Sequence, residues 1–298
     1  MSGVEFSSAD RLWTINCGGQ TNQTHQTHRA RVLILADGAH SALARSLGLV
    51  KTAPDAICSR GAVRAPNADF PEQGVLYYPE HLLPGYIALL RHVDSLLHVS
   101  TYILPGGRAL PSDLRRLHHQ LLREDPQVKR AVGPGAEILK MQGAWLRLGG
   151  VRPSYFDHLL LVGDAAGQID PLTGEGIQYA MDAAELAAQT LDEAFAAGDF
   201  SAGFLRRYED RWMRAFGRDF YWSQKIADMQ TRYPWLLDAG AALIERQGIP
   251  FLAQWGEIMT GLRPKSHFLK PRMAWPTLRE VIYQAVSRWR QPKSVQPA

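Results

Sequence analysis

The sequence predicts a mixed fold, part α/β and part α+β, and three stretches carry this prediction. An apolar run at residues 159–162 leads into a glycine-rich loop and a long helical pattern, which is typical of a strand–loop–helix unit. Residues 59–148 contain short β-rich runs separated by turn residues, which indicates an antiparallel sheet. From Ser201 onward the apolar spacing is helical, which predicts a helical C-terminal region.

The apolar run ends in Gly163 and Asp164. Four apolar residues in succession predict a strand that is covered on both faces. Ligands of open α/β sheets bind at the carboxyl ends of the strands. Asp164 is therefore a candidate ligand-binding residue.

The loop after this strand contains glycines that would allow its backbone to approach a flat ligand closely. They are Gly163, Gly167, Gly174 and Gly176. Pro171 stiffens the loop. A helix then follows, because apolar residues recur at helical spacing at Ile177, Ala180, Met181, Ala184, Ala188 and Leu191. The free N–H groups at the start of this helix point back toward the loop and attract negative charge.

Two motifs resemble those of one known family. Residues 163–180, GDAAGQIDPLTGEGIQYA, resemble the second flavin fingerprint of the FAD-dependent oxidoreductases built like p-hydroxybenzoate hydroxylase, and the TGEGI form is most similar to geranylgeranyl reductases. Residues 31–45, RVLILADGAHSALAR, resemble the upstream strand-Asp-Gly-x-x-Ser-x-x-Arg motif of that family. Either motif alone is also compatible with an ordinary turn between a strand and a helix. Their occurrence together, in the family's order, favours the flavoprotein interpretation.

The resemblance implies an FAD cofactor, with NAD(P)H or another reductant as electron donor. It implies that Asp164 holds the ribityl chain and that Gly174 to Ile177 stabilise negative charge at the N1–C2=O edge of the reduced flavin. Arg45 would lie over a phosphate, although a solvated helix arginine is an equal alternative. The cofactor-binding residues implied in this way are Asp37, Gly38, Arg45, Gly163, Asp164, Ala165, Pro171, Gly174, Gly176 and Ile177.

The beginning of the chain departs from the family pattern. Flavoproteins of this type bind the ADP half of FAD with G-x-G-x-x-G in a first βαβ unit, whereas residues 1–30 are typical of a hairpin with a polar loop. Gly133-Pro134-Gly135 is a turn and does not replace that unit. We expect either a fragment of a longer reading frame or a truncated protein with a weakened cofactor site. The strand at Val32–Leu35 would then expose an apolar edge and face.

Between the two motifs the sequence predicts a short helix at Ser41–Leu47, capped by Ser41, and then a β-rich substrate domain. Strands are expected at residues 75–78, 86–90, 96–104 and 138–148, with helices after Ser112 and from Asp125. In geranylgeranyl reductases one such strand carries Tyr-x-Trp-x-Phe-Pro. Here only Tyr86 of that pattern is kept, as a candidate substrate-binding residue, and an apolar pocket and an ordinary core strand are equal alternatives.

The last third is predicted to be a helical cap with an aromatic stripe at Phe204, Tyr208, Trp212, Phe216, Phe220 and Ile226. Two more amphipathic segments are expected at residues 235–246 and 251–262. From Arg263 onward eight basic residues accompany one acid, Glu280. This tail would suit peripheral contact with an anionic membrane surface, and it would equally suit a solvated end.

Composition narrows the class of protein. The chain has 298 residues, of which 46% are apolar and 21% charged, as is ordinary for a globular enzyme. No apolar run is long enough to span a bilayer, and two cysteines are too few for a disulfide framework, so a cytoplasmic location is expected. No Cys and His spacing suggests a metal site, and the basic tail lacks a nucleic-acid motif. The oligomeric state is not predicted.

The expected domains are a partial FAD-binding domain of the glutathione reductase type at 1–58, continued at 151–200, a substrate domain at 59–150 and a helical region at 201–298. The predicted function is an FAD-dependent reductase of alkene bonds in a small apolar, isoprenoid-like substrate. A flavin-dependent monooxygenase shares both motifs and is one alternative. The other alternative is a non-catalytic fragment that keeps the fold.

Overall fold

The structure, a computed structural model, describes residues 3–17, 26–70 and 74–290, without the side chain of Arg290. Residues 18–25, in the stretch 1–30 where a polar loop is expected, lie outside the described residues. So does the end of the basic tail, with Lys293.

The predicted buried strand is β11, Leu159–Leu161, whose three leucines are at most 1% exposed. It pairs in parallel with β4, Leu33–Leu35, and in antiparallel with β10, Tyr155–Phe156. β4 forms the edge of this small sheet, and its Ile34 is 45% exposed. The expected apolar exposure of this strand is therefore present. Because β4 and β11 run in parallel, the two motifs that follow them start at the same sheet edge.

The N-terminal residues form the expected antiparallel hairpin with one further strand. The strands are β1 at Gly3–Ser7, β2 at Leu12–Cys17 and β3 at Gln26–Ala30. Trp13 on β2 fixes this sheet to the parallel pair, because its Nε1 donates a hydrogen bond of 2.7 Å to the carbonyl oxygen of His158. The short helix α1, Ala42–Ser46, follows β4, and Ser41 accepts a hydrogen bond from the backbone N–H of Ala44, as the predicted cap.

The middle of the chain forms a five-stranded antiparallel sheet in the order β6-β7-β8-β5-β9. The strands are β5 at Ala56–Arg64, β6 at Gly74–Tyr77, β7 at Tyr86–Arg91, β8 at Leu96–Ile103 and β9 at Glu137–Leu146. Two helices follow β8, α2 at Leu114–Glu124 and α3 at Pro126–Val132. These elements confirm the predicted strands and helices. The domain boundaries stay predictions, and β5 begins before the expected boundary after residue 58.

Alternation along the strands gives this sheet two different faces. Ile57, Ile87 and Val99 belong to one apolar core together with Leu117 and Leu121 of α2. The residues between them in each strand point to the opposite face, which α2 and α3 do not cover. That second face is the one that reaches the flavin-type loop.

The C-terminal region is helical, as predicted. The helices are α4 at Ile177–Ala197, α5 at Ala202–Trp212, α6 at Arg218–Arg232, α7 at Trp235–Gln247, α8 at Ile249–Met259 and α9 at Pro271–Arg290. A π-helical turn, Met213–Gly217, joins α5 to α6, so the aromatic stripe continues across both helices. Tyr208, Trp212, Phe216 and Phe220 of the stripe are buried in one core.

The predicted helix α4 is confirmed, but most of the apolar positions that predict it lie outside its buried face. Ile177 is 76% and Met181 69% exposed, and Leu191 alone of these positions is buried. The buried face instead carries Tyr179, Ala183, Ala187, Thr190, Leu191 and Ala194. Both sides of α4 are rich in alanine, so apolar spacing indicates the helix without indicating which side packs on α5.

The last helix, α9, lies within the predicted helical region, although the sequence indicates no separate helix in the basic tail. It packs on α7 through Met273 and Glu280, which are both 4% exposed. The side chain of Glu280 accepts a hydrogen bond from Arg246 of α7. Within the described ranges, no helix is long and apolar enough to cross a bilayer.

Candidate functional site

The strand end at Asp164 carries an open carboxylate. Gly163 and Gly167 have φ angles of +65° and +67°, and the 3-10 turn Gly163–Ala166, which directly follows β11, contains Asp164. Among the described residues, no donor group forms a hydrogen bond with the Asp164 side chain. Burial raises the pKa of this carboxyl above its ordinary value. Asp164 is thus partly buried with its hydrogen-bonding capacity unused.

The start of α4 lies beside this carboxylate. Gly176 is the N-cap residue of α4 and has no side chain to accept hydrogen bonds from the first N–H groups. A Cβ at Gly176 would lie 3.5 Å from Asp164 Oδ1. The two features predicted to act together are therefore adjacent. Their assignment to a flavin stays a prediction.

Two glycines of the loop make room for neighbouring side chains of the protein. A Cβ at Gly174 would lie 3.0 Å from the ring of Tyr102, and a Cβ at Gly176 would lie 2.8 Å from Ile169. These distances are shorter than ordinary contacts, so the space next to these glycines is filled by the protein's own side chains. Gly174 and Gly176 therefore allow the loop to pack closely, and the approach of a flat ligand to the loop stays a prediction.

A second carboxylate, Asp170, organises the loop from inside. Its Oδ1 accepts hydrogen bonds from the backbone N–H groups of Leu172 and Thr173, at 2.8 and 3.2 Å. Its backbone pairs with Gly174 and Glu175. Asp170 is fully buried. Asp170 is not predicted as a site residue from the sequence, although Asp before Pro-x-x-Gly is a recognisable turn signal.

The charge of Asp170 is balanced by a lysine from the distant C-terminal region. Lys265 Nζ lies 2.7 Å from Asp170 Oδ2 and 3.2 Å from Asp219 Oδ2, and the Lys265 side chain is fully buried. Ser223 of α6 donates a further hydrogen bond of 2.8 Å to Asp170 Oδ2. Burial alone would lower the pKa of Lys265, but the attraction of Asp170 and Asp219 outweighs it and raises the pKa. The loop is thus fixed to the C-terminal helices by a buried ion pair.

The substrate-domain sheet meets the same loop through a row of side chains. Cys58 and Tyr86 both lie opposite Tyr102 in the sheet register, so all three project from the face that α2 leaves open. The rings of Tyr86 and Tyr102 stack with centroids 4.5 Å apart. The Tyr86 hydroxyl donates to the carbonyl oxygen of Thr173 in the loop.

This bond bears on the role predicted for Tyr86. Burial raises the pKa of Tyr86 above its ordinary value. A hydroxyl with a raised pKa and its proton already donated to Thr173 is a poor proton donor. The geometry favours a role for Tyr86 in holding the loop against the sheet, and its contact with substrate stays a prediction.

The residues that replace tryptophan and phenylalanine in the reductase pattern are Ala88 and Leu90. Because they are two and four residues after Tyr86 on β7, they project from the same open face. Leu90 is 47% exposed. Ala88 is buried, at 7% exposure, so of these two positions only Leu90 is accessible on this face.

The Asp-Gly motif lies at the edge shared with Asp164. Ser41 Oγ donates a hydrogen bond of 2.6 Å to Asp37 Oδ1, and Gly38 has a φ of +84° that closes the turn. Arg45 is exposed in the last turn of α1. Its side chain forms no hydrogen bond or ion pair with another described residue. The motif is therefore built as predicted, and the phosphate contact of Arg45 stays untested.

The remaining predicted residues differ in exposure. Ala165 is fully buried and Pro171 is buried near the Gly149 turn, where a Cβ would lie 3.6 Å from the proline ring. Ile177 is largely exposed. The structure therefore brings Asp164, Gly176 and Ile177 to one accessible place and leaves Ala165 in the core.

These features suit a flavin. The Asp164 carboxylate is an acceptor for hydroxyl groups such as those of a ribityl chain, and the uncapped α4 start offers N–H donors to a negatively charged edge. Cys17 and Cys58 are both free thiols. No group of three His, Cys, Asp or Glu side chains in the described part of the chain could hold a metal ion.

The amino-acid sequence matches one protein-family model and several known proteins. A family model described as an FAD binding domain matches residues 13–215. "Conditioned medium factor receptor 1" of Dictyostelium discoideum is 47% identical over 294 residues, which cover 97% of this chain and 58% of that protein. Digeranylgeranylglycerophospholipid reductase 2 of Methanopyrus kandleri is 29% identical over 264 residues, which cover 86% of this chain and 62% of the reductase. The chain thus spans 58% and 62% of the lengths of these relatives.

Solved structures share the fold. A geranylgeranyl bacteriochlorophyll reductase-like protein from Thermoplasma acidophilum superposes with a TM-score of 0.56 at 22% identity, over 71% of this chain and 56% of that protein. CmlS, a flavin-dependent halogenase, superposes with a TM-score of 0.57 at 19% identity, over 74% of this chain and 40% of the halogenase. Both likenesses confirm the predicted flavoprotein fold class, and the sequence matches confirm the predicted resemblance. The chain belongs to the FAD-binding domain family and, within it, resembles the geranylgeranyl reductases.

Proposed function

We propose that this chain provides the flavin- and substrate-binding part of an FAD-dependent oxidoreductase of the geranylgeranyl reductase type. The observation that carries the proposal is the Asp164 carboxylate, which no residue in the described part of the chain pairs with, beside the uncapped start of α4. The FAD binding domain match and the names of the Methanopyrus relatives support it. Bound FAD would supply the hydride for reduction of a carbon–carbon double bond, with NAD(P)H or another reductant providing the electrons.

Each protein group has one task in this proposal. The Asp164 carboxylate accepts hydrogen bonds from the ribityl hydroxyls and so orients the cofactor. The first N–H groups of α4 stabilise negative charge on the flavin ring. The ion pair between Asp170 and Lys265 keeps the loop between Asp164 and α4 in place. The first N–H groups of α4 therefore need not reorganise during the reaction.

The substrate that we propose is a small apolar molecule with an isoprenoid-like chain. It would lie on the open face of the five-stranded sheet, over Ala88 and Leu90 and next to Tyr86. Small apolar side chains there admit an apolar chain and exclude water from the reacting bond. The proposed location of the protein is the cytoplasm.

A titration of the purified chain with FAD, followed by quenching of flavin fluorescence, tests the site. Asp164→Ala removes charge-assisted hydrogen bonds worth about 1.5–3 kcal/mol, so we expect the Kd for FAD to rise about 10- to 100-fold. Asp182→Ala is the matched control, because Asp182 is an exposed aspartate on α4. Equal FAD affinity of the Asp164 variant and the wild type would remove Asp164 from the site.

The same preparation separates the alternatives. Absence of FAD binding by the wild-type chain would favour a non-catalytic fragment. A flavin monooxygenase remains a second candidate, because the halogenase CmlS has the same fold. A monooxygenase would consume oxygen in proportion to product, whereas a reductase would form saturated product under anaerobic conditions with a chemical reductant.

A further inference from the structure

We propose that α9 is an interfacial helix that docks this protein on an anionic membrane surface. The proposal concerns a surface outside the flavin-type site and does not depend on cofactor binding. It rests on how α9 is packed, on the apolar side that it leaves uncovered and on the charges at the edge of that side.

The packed side of α9 is identified by its buried residues. Met273 belongs to a small core with Leu243 of α7 and Phe251 and Ile258 of α8. Glu280, seven residues further on, is 4% exposed and pairs with Arg246. A spacing of seven residues keeps both side chains on one side of the helix. One side of α9 is therefore fully used in packing.

The opposite side of α9 is an apolar stripe whose members are at least 42% exposed among the described residues. It consists of Trp275, Leu278, Ile282, Val286 and Trp289, which are 63%, 50%, 54%, 42% and 85% exposed. Successive members are three or four residues apart, so they form one continuous line. Trp275 follows Met273 by two residues, which places it about 200° around the helix. The apolar stripe thus faces away from the protein.

The charges beside the stripe indicate the kind of partner. Arg272 and Arg279 are exposed, and neither forms an ion pair with a carboxylate in the described ranges. The one acid between Arg263 and Arg290 is Glu280, which is buried on the packed side. The exposed part of α9 is therefore apolar and basic, and it complements a surface that is apolar and acidic.

A bilayer with anionic lipids fits this surface better than a second copy of the chain. Two copies that met through their stripes would bring Arg272 and Arg279 of both copies together, while the acids that contact α9 are already paired, Asp238 with Arg288 and Glu280 with Arg246. A lipid surface accepts a single convex helix, with its apolar side below the headgroups and arginines at the phosphates. The two tryptophans are 14 residues and about 21 Å apart, and tryptophan prefers the boundary between acyl chains and headgroups.

Vesicle co-sedimentation of the full chain tests this proposal. We expect the partition coefficient to be at least about tenfold higher for vesicles of phosphatidylcholine with one third phosphatidylglycerol than for phosphatidylcholine alone. Arg272→Glu/Arg279→Glu should reduce binding to the level of neutral vesicles. Trp275→Ser/Trp289→Ser should reduce binding to both kinds of vesicle at least about tenfold.

A control variant shows whether a change in vesicle binding is specific to α9. Val93→Ser/Leu110→Ser removes two apolar side chains that are 65% and 60% exposed elsewhere, and it should bind vesicles like the wild type. Far-ultraviolet circular dichroism confirms that each variant is folded. The proposal is overturned if the wild type does not bind vesicles, if it binds neutral and anionic vesicles equally, or if the α9 variants bind like the control. It is also overturned if the tryptophan variant abolishes a dimer instead.

Discussion

Asp164 and Asp170 lie six residues apart in the same loop and are held in opposite ways. Asp170 is fully buried, and its carboxylate receives two backbone N–H groups, a serine hydroxyl and a lysine. Asp164 is partly buried, and its carboxylate receives no hydrogen bond from the described residues. The Asp170 carboxylate has used its hydrogen-bonding capacity inside the protein, whereas the Asp164 carboxylate can still accept hydrogen bonds from a ligand.

This difference indicates that Asp170 shapes the site and that Asp164 is available to bind a ligand. A partly desolvated carboxylate without a partner has no stabilising role that would explain its position. A buried carboxylate with four donors explains the shape of the loop around it. The loop is therefore fixed at Asp170 and open at Asp164, which is the arrangement that a preorganised binding site needs.

Lys265→Met is the strongest test of the fixed end. The substitution leaves the Asp170 carboxylate buried without its cation, which typically costs about 3–5 kcal/mol. We expect a loss of this size in the free energy of unfolding, measured by urea denaturation. Lys129→Met, at an exposed lysine of α3, is the control and should change stability by less than about 0.5 kcal/mol.

A double variant distinguishes loss of the ion pair from loss of packing. Asp170→Asn/Lys265→Met removes both charges, so it should be more stable than Lys265→Met alone, by at least about 1 kcal/mol. If the two substitutions were additive, the two side chains would not be coupled. The contrast between Asp170 and Asp164 would then have no energetic basis.

Ser223→Ala tests a single hydrogen bond to the buried Asp170 carboxylate. The serine hydroxyl donates to Asp170 Oδ2, and a hydrogen bond to a charged group contributes about 1.5–3 kcal/mol. Because Lys265 remains bound to the same oxygen, we expect a loss near the lower value, about 1.5 kcal/mol, in thermal or urea unfolding. Ser46→Ala, whose hydroxyl bonds a carbonyl on the surface of α1, should be nearly neutral.

The sequence predicted the open end of the loop and missed the fixed end, for a physical reason. Asp164 is recognisable because it directly follows a buried strand, so local pattern is sufficient. The partner of Asp170 is Lys265, which is 95 positions further along the chain. Nothing in the basic tail marks this lysine as different from its exposed neighbours, because its burial is decided by the packing of α6 against the loop.

The helices show the same limit. Apolar spacing predicted that α4 exists, but not which side is buried, because alanine occurs on both sides. For α9 the sequence predicts a helical region with a basic tail, but neither the ends of this helix nor its apolar stripe from Trp275 to Trp289. Local pattern therefore predicts elements well, while the choice of buried face depends on neighbours that are distant in sequence.

Asp164→Asn gives the smallest expected effect, and its sign alone separates the two carboxylates. Burial raises the pKa of Asp164 in the folded protein above its unfolded value of 3.8. Folding therefore favours the protonated form of Asp164. The free energy of unfolding falls as the pH rises from the unfolded pKa through the raised folded pKa. Asparagine cannot ionise, so at pH 7 the variant should be more stable than the wild type, by no more than about 1 kcal/mol. The difference in stability should vanish near pH 3, which melting curves from pH 3 to 8 would show.

A variant less stable than the wild type at pH 7 would mean that the carboxylate already has a partner within the protein. Asp164 would then be a structural residue like Asp170.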